Sequence, residues 1–168
     1  GRVISPEEFI PVAEDIGLIG DIAWTLLRQA CAAAVHWDPS ITIAINVSPT
    51  QFRDRGLAAK VLAVLAETGF PAGRLEVEIT ENALVSDFEM ARATILSLKR
   101  EGVRITLDDF GTGYSSLDLL SRLPISTVKL DQDVVLRMTE DVKNTHIVRS
   151  SLYMARELSL KTVAEGVV

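Results

Sequence analysis

Cysteine is almost absent from this 168-residue chain. The one thiol, Cys31, lies in an Ala-rich apolar stretch, so a disulfide framework is excluded and a reducing, cytoplasmic setting is expected. Long hydrophobic runs are lacking too. The most apolar one, Ile22 to Val35, is short of a bilayer span and is interrupted by Arg28 and Gln29. No basic, Ser-rich leader opens the chain, so the segment reads as soluble and without membrane contact. Positive charge is in deficit: a formal net charge of -6 argues against a surface for nucleic-acid polymers, whose sequence-independent binding needs clustered Lys and Arg. An anionic substrate would need divalent cations, which invert the electrostatics of a carboxylate-rich site. Histidine is scarce, and His36 and His146 fall on predicted helices as surface or boundary residues.

What is present is enough apolar material, 48% of residues, for one core and a single domain. The order of elements is regular. Ser5-Pro6-Glu7-Glu8 predicts a helix with a capping box, ended at Gly17. A second helix is expected from Ile22 to Trp37, then a strand from Ile41 to Val47 and another cap at Ser48-Pro49-Thr50-Gln51. Helical periodicity from Leu57 to Thr68 closes at Gly69, and Leu75 to Thr80 reads as a strand. Ser86-Asp87-Phe88-Glu89 caps a helix running to Gly102, and Val103 to Asp108 is the third strand. A Gly-rich loop, a short helix from Leu117 to Arg122, a strand from Thr127 to Leu130, a helix from Val142 to Leu158 and a strand from Leu160 to Ala164 complete the pattern.

Strands separated by helices imply a parallel sheet, with an open sheet and a closed barrel as rivals. Side-chain parity decides between them. Thr42, Ala44 and Asn46 share one face and Ile41, Ile43 and Ile45 the other; Glu76 and Glu78 oppose Leu75, Val77 and Ile79. Arg104, Thr106 and Asp108 oppose Val103, Ile105 and Leu107, while Thr127, Lys129 and Asp131 oppose Val128 and Leu130. Central strands of a doubly wound sheet are apolar on both faces. A recurrent polar face suits a barrel, in which the carboxyl ends bearing Asn46, Glu78, Asp108, Lys129, Asp131 and Glu165 converge on one mouth.

Asn46, Glu78, Asp108 and Asp109 offer only hard oxygen ligands, a set that suits magnesium or manganese better than zinc. Using both aspartates requires the chain to turn at Asp109, which the following glycines favour. Lys129 gains partners among the carboxylates and could hold a water or a phosphate oxygen. With two metal ions a bridging water is aimed at phosphorus, and Glu165 could orient or deprotonate it. Taken singly, each residue has a plainer reading. Asp108-Asp109 before glycine is a common turn or cap, Glu78 or Lys129 a strand residue in an ion pair, and Tyr114 either a hinge or a stacking platform.

Together, these residues resemble the ordered motifs of EAL domains. They are Ile4-Ser5-Pro6-Glu7-Glu8-Phe9-Ile10-Pro11, Asn46-Val47-Ser48, Glu78-Ile79-Thr80-Glu81, Asp108 to Leu117, Val128-Lys129-Leu130-Asp131 and Ala164-Glu165-Gly166-Val167. The resemblance implies an α/β fold, a modified (β/α)8 TIM-type barrel that is incomplete here with about five parallel strands. It also implies hydrolysis of the bacterial second messenger cyclic di-GMP to linear pGpG. By position Asn46, Glu78, Asp108 and Asp109 match metal ligands for Mg2+ or Mn2+, Lys129 a water-positioning lysine and Glu165 the catalytic glutamate. Glu81 matches a glutamate that steadies the loop from Phe110 to Ser116, and Asp131 a residue near the second metal or the substrate. A homodimer and an attached regulatory domain outside this chain, which could anchor the parent protein to a membrane, are further implications. No Glu-Ala-Leu triplet occurs, so residues 1–168 read as one partial domain lacking a metal ligand, an arginine and the last strand. The other reading of such a chain is a receptor that binds cyclic di-GMP without cutting it. An enolase-like metal-dependent barrel is the more remote alternative.

Overall fold

The computed structural model describes residues 4–85, 87–111 and 117–167. Helix α1 (Pro6–Asp15) begins where expected, with Pro6 at its first position, but the Ser5 hydroxyl makes no capping hydrogen bond. The expected capping box is therefore not completed at Ser5.

Helix α2 (Ile19–Ala34) starts and stops three residues earlier than the periodicity suggested. Gly17, at φ +74°, reverses the chain immediately and lets α2 begin at once. Its end is set from a distance. Arg74, only 9% exposed, donates to the carbonyls of Ala34 (3.0 Å), Asp38 (3.1 Å) and Ile41 (2.8 Å), drawing them into a turn. Asp38 stabilises that turn by accepting from the Ser40 amide and hydroxyl. Strand β1 (Ile43–Val47) consequently opens two residues later than expected.

The Ser48 capping box is realised in full at α3 (Pro49–Phe52): its hydroxyl accepts from the Gln51 amide and the Gln51 side chain accepts from the Ser48 amide. Next come α4 (Leu57–Thr68), closed by Gly69 at φ +67°, and β2 (Leu75–Thr80). The single-turn α5 (Glu81–Val85) follows, then α6 (Phe88–Arg100), capped by Asp87 accepting from the Met90 amide. Ser86 of the expected cap lies outside the described residues. Strand β3 (Arg104–Phe110) runs two residues past the expected end. The chain ends with α7 (Leu117–Arg122), β4 (Thr127–Leu130), α8 (Gln132–Leu136), α9 (Val142–Glu157) and β5 (Lys161–Ala164). Neither α5 nor α8 was foreseen, because one turn is too short to show a hydrophobic period.

All four strand pairings are parallel, and the order β1-β2-β3-β4-β5 follows the chain. A doubly wound sheet would reverse its order at a switch point; this one winds in a single sense, as in a barrel wall. One face carries the core. Val77, Ile79, Ile105, Leu107 and Val128, none more than 1% exposed, belong to one apolar cluster with Val61 and Leu65 of α4 and Ile95 and Leu98 of α6. The other face carries the polar residues named by parity, with Asn46 beside Glu78, Glu78 beside Thr106, and Thr106 beside Thr127.

Burial differs across the sheet, and a stability prediction follows from it. Ile105 is fully buried in a central strand, whereas Val163 in β5 is 44% exposed. Ile105→Ala is expected to lower unfolding free energy by about 2–5 kcal/mol, and Val163→Ala by less than about 1 kcal/mol. Urea melts of the two variants check this, and equal losses would contradict the assigned core face.

Candidate active site

The carboxyl ends of β2, β3 and β4 carry Glu78, Asp108 and Lys129, and Glu165 stands just past β5. Their side chains meet. The Lys129 ammonium lies 2.7 Å from Glu165 Oε1, 2.9 Å from Glu78 Oε2 and 3.4 Å from Asp108 Oδ2. Lys129, Glu78 and Asp108 keep only 10–15% of their side-chain surface, and Glu165 keeps 34%. An amine and two carboxylates withdrawn this far from water persist because each satisfies the others.

Burial by itself would pull the Lys129 pKa down. Hydrogen bonds to Glu165 and Glu78, with the charge of Asp108, outweigh it and leave the group held above its ordinary range, so it is a firm cation. Burial raises the Glu78 carboxyl, and the bond and charge of Lys129 offset part of that rise. Beneath this group, the Thr106 hydroxyl donates to Glu76, a second polar layer on the same face.

Asp109 has φ +54°, a left-handed conformation that aspartate tolerates better than most residues, and the β3–β4 register shifts between Leu107 and Phe110. The turn that use of both aspartates demands is thus present. Partial withdrawal from water raises the Asp109 carboxyl, and the negative charges of Asp108, Asp131 and Glu165 raise it further. Asp131 is accordingly near the group, though one of its oxygens is committed to capping α8 by accepting from the Val134 amide at 3.1 Å.

Asn46 sits in register with Glu78 and lines, with Glu78 and Thr80, one end of a largely apolar cavity of about 460 Å³ between α1, α2 and β1. Among the described residues Asn46 makes no hydrogen bond to Lys129 or to the carboxylates that surround it. Glu81 opens α5 directly behind β2 and is 8% exposed; most of the loop it was expected to steady, including Tyr114, lies outside the described residues. His146 is on the surface of α9 and His36 is exposed in the turn after α2. Among the described residues no three acids or histidines converge on a ready-made metal cage. The donor chemistry nevertheless fits a hard divalent cation: Glu78, Asp108 and Glu165 offer carboxylate oxygens, and these acids outnumber the single ammonium they surround.

The profile of the EAL domain matches residues 1–168. This chain belongs to the EAL domain family. It is 44% identical over 165 residues to an uncharacterised signalling protein of Caulobacter vibrioides, covering 98% of this chain and 20% of that protein. It is 37% identical over 169 residues to the bifunctional diguanylate cyclase/cyclic di-GMP phosphodiesterase MucR of Pseudomonas aeruginosa, covering 98% of this chain and 25% of that protein. The solved MucR phosphodiesterase in complex with c-di-GMP superimposes with a TM-score of 0.94 at 37% identity, over 98% of this chain and 68% of that one. A calcium/c-di-GMP complex of BlrP1 from Klebsiella pneumoniae gives 0.78 at 27% identity, over 96% of this chain and 41% of the other. The chain thus spans about a fifth to a quarter of the length of these curated relatives, and its fold matches EAL structures of the TIM-barrel type.

Removing the shared cation should be costly. Lys129→Met leaves Glu78 and Asp108 buried without their partner, with an expected loss of about 3 kcal/mol at pH 7. The sign of the pH dependence is fixed by Glu78. Its folded pKa is already raised and rises further without Lys129, so protonation at lower pH removes the uncompensated charge and the deficit against the unsubstituted protein shrinks. Urea unfolding at neutral and mildly acidic pH checks this, and a deficit independent of pH would contradict it.

Proposed function

We propose that this chain is one partial EAL domain of a metal-dependent phosphodiesterase that hydrolyses cyclic di-GMP to linear pGpG. The observation that carries the reading is the convergence of Glu78, Asp108 and Glu165, from three separate strands, on the Lys129 ammonium. The similarity to the c-di-GMP-bound MucR phosphodiesterase supports the choice of substrate.

In this reading Asn46, Glu78, Asp108 and Asp109 would hold Mg2+ or Mn2+, as two ions. Bound there, such cations supply the charge that acidifies a water and polarises a phosphoryl oxygen. The chain's own residues do the rest. Lys129, kept protonated by its carboxylates, donates to the reacting water or to a phosphoryl oxygen. Glu165, the most solvent-accessible of the Lys129 partners, accepts the proton of the water as its oxygen bonds to phosphorus. The phosphorus–oxygen bond to the ribose 3′ position breaks, and that oxygen takes up a proton from solvent, giving pGpG. Glu81 braces the loop that follows the paired aspartates, and Asp131 stands near the second cation or the substrate.

The same reading places the protein in the cytoplasm, where cyclic di-GMP is made and read. No helix among the described residues is long and apolar enough to cross a membrane. It also anticipates a homodimer and, from the greater length of the relatives, a regulatory domain elsewhere in the parent protein.

Glu165→Gln is expected to abolish hydrolysis, at least roughly a hundredfold, while sparing most ligand affinity, because the base is lost but the metal oxygens remain. Quantifying pGpG release alongside c-di-GMP binding in the complete parent protein decides the matter; equal loss of both contradicts the role. Chelating divalent cations should stop turnover and Mg2+ or Mn2+ should restore it. Binding of c-di-GMP with no turnover under any cation would instead identify a receptor.

A further inference from the structure

We infer that Glu76, held by the Thr106 hydroxyl, is a positioning residue that directs the Glu78 carboxylate to Lys129. The register of β2 against β3 sets Glu76 directly across from Arg104, and an ion pair between them is the ordinary expectation for such neighbours. Both turn elsewhere. Arg104 Nε donates to the Gly73 carbonyl at 3.1 Å, and Glu76 accepts from the Thr106 hydroxyl, two residues further along β3. On β1 the residue level with Glu76 is Ala44, which offers it no polar side chain. Thr106 is level with Glu78, so the Glu76 side chain leans toward the carboxyl rim and its carboxylate rests below the Glu78 side chain, which projects from the same face about 6.6 Å along the strand.

The anchor of this arrangement is firm. Thr106 is fully buried, with Glu78 and Thr127 in register on either side, and a hydroxyl withdrawn that far from water needs a partner. Glu76 is that partner, and a charged acceptor makes the bond stronger than a neutral one would. The contact lies between two inner strands of the sheet. Glu78 feels the result: burial raises its carboxyl, Lys129 lowers it, and the charges of Asp108 and Glu76 raise it further, so the Glu76 carboxylate is near enough to repel it. With a fixed negative charge beneath it and an ammonium 2.9 Å away, Glu78 has one favourable direction. Glu76 and Thr106 act through Glu78 and touch no reacting atom. Where Glu78 also holds a cation, as the proposed function has it, the same constraint sets how tightly that ion is bound.

The test compares Thr106→Val, Thr106→Ser, Glu76→Gln, and Thr106→Val combined with Glu76→Gln, in the intact parent protein. Valine keeps the shape and the net charge but donates no hydrogen bond; serine keeps the donor. Crystal structures of the cation-free protein give the first readout. The Lys129–Glu78 separation should open past hydrogen-bond reach, roughly 3.5 Å, in Thr106→Val and in Glu76→Gln, and stay closed in Thr106→Ser. The second readout is Mn2+ affinity, taken as the binding that Asp108→Asn removes. It should fall roughly tenfold in Thr106→Val, stay within about twofold in Thr106→Ser, and fall no further in the double variant than in the weaker single one, because the two residues act as a unit. Only this arm rests on the cation-dependent reading; if Asp108→Asn removes no Mn2+ binding, that reading fails and the Lys129–Glu78 separation still decides the inference. If Thr106→Val does not fold, Glu76→Gln carries both readouts. A contact that stays closed in Thr106→Val or in Glu76→Gln, or single losses of affinity that add in the double variant, overturns the inference, since Thr106 and Glu76 would then be ordinary packing beneath the site.

Discussion

The polar face of this sheet is organised by one ammonium shared among three carboxylates. Lys129 projects from the shortest class of strand in the sheet, the four-residue β4, yet it reaches Glu78 on β2, Asp108 on β3 and Glu165 beyond β5. Each of those acids would be costly where it stands without the lysine, and the lysine would be costly without them. The constraint also runs backward to the fold. Only a sheet in which chain order equals spatial order brings β2 through β5 side by side with their carboxyl ends at one rim. A reversal of strand order would separate the lysine from at least one partner.

The backbone departs from regular extension at this rim in ways that serve the same convergence. Alternation in β3 puts Asp108 on the polar face and would point Asp109 into the apolar layer. The left-handed turn at Asp109 and the accompanying register shift release it from that fate while returning Phe110, 1% exposed, to the core. Gly111, at φ +102°, follows immediately, and a Cβ there would come within 3.2 Å of Ile147 on α9. Paired acids are thus obtained from one strand end at the expense of a residue that must be glycine.

Much of this was legible in the residues, for identifiable reasons. Strands β2 and β4 and helix α4 have the predicted limits because each is bounded by a strong stop: Gly69, the glycine-containing turn before Leu75, or the proline before Ile125. Parity named Glu78, Asp108 and Lys129 as neighbours on one face, since a period of two survives any tertiary context that keeps the strand extended. The failures are long-range or very short-range. The end of α2 was misplaced because the group that satisfies its carbonyls, Arg74, lies forty residues along the chain. The Ser5 box was expected from a pattern that Ser48 fulfils and Ser5 does not, the difference lying in side-chain geometry that composition does not encode. Asn46 was grouped correctly by face, but the sequence could not say that its neighbourhood would be an apolar cavity.

Charge arithmetic connects this rim to a substrate. Glu78, Asp108, Asp109, Asp131 and Glu165 are five carboxylates against the one ammonium of Lys129, a formal excess of four negative charges, and the acids among them add to the rise that withdrawal from water gives the Asp109 carboxyl. Two unit charges about 4 Å apart interact by roughly 4 kcal/mol at the effective dielectric of a protein surface, so a phosphodiester approaching this rim alone meets strong repulsion. The lysine cannot relieve it, because its one positive charge is already outweighed by the carboxylates around it. On the proposed reading two divalent cations supply four positive charges, enough to cancel the excess. An anionic cyclic dinucleotide and an acidic mouth are then compatible only through the ions between them, and Lys129 is left free of the task of neutralisation to act by position.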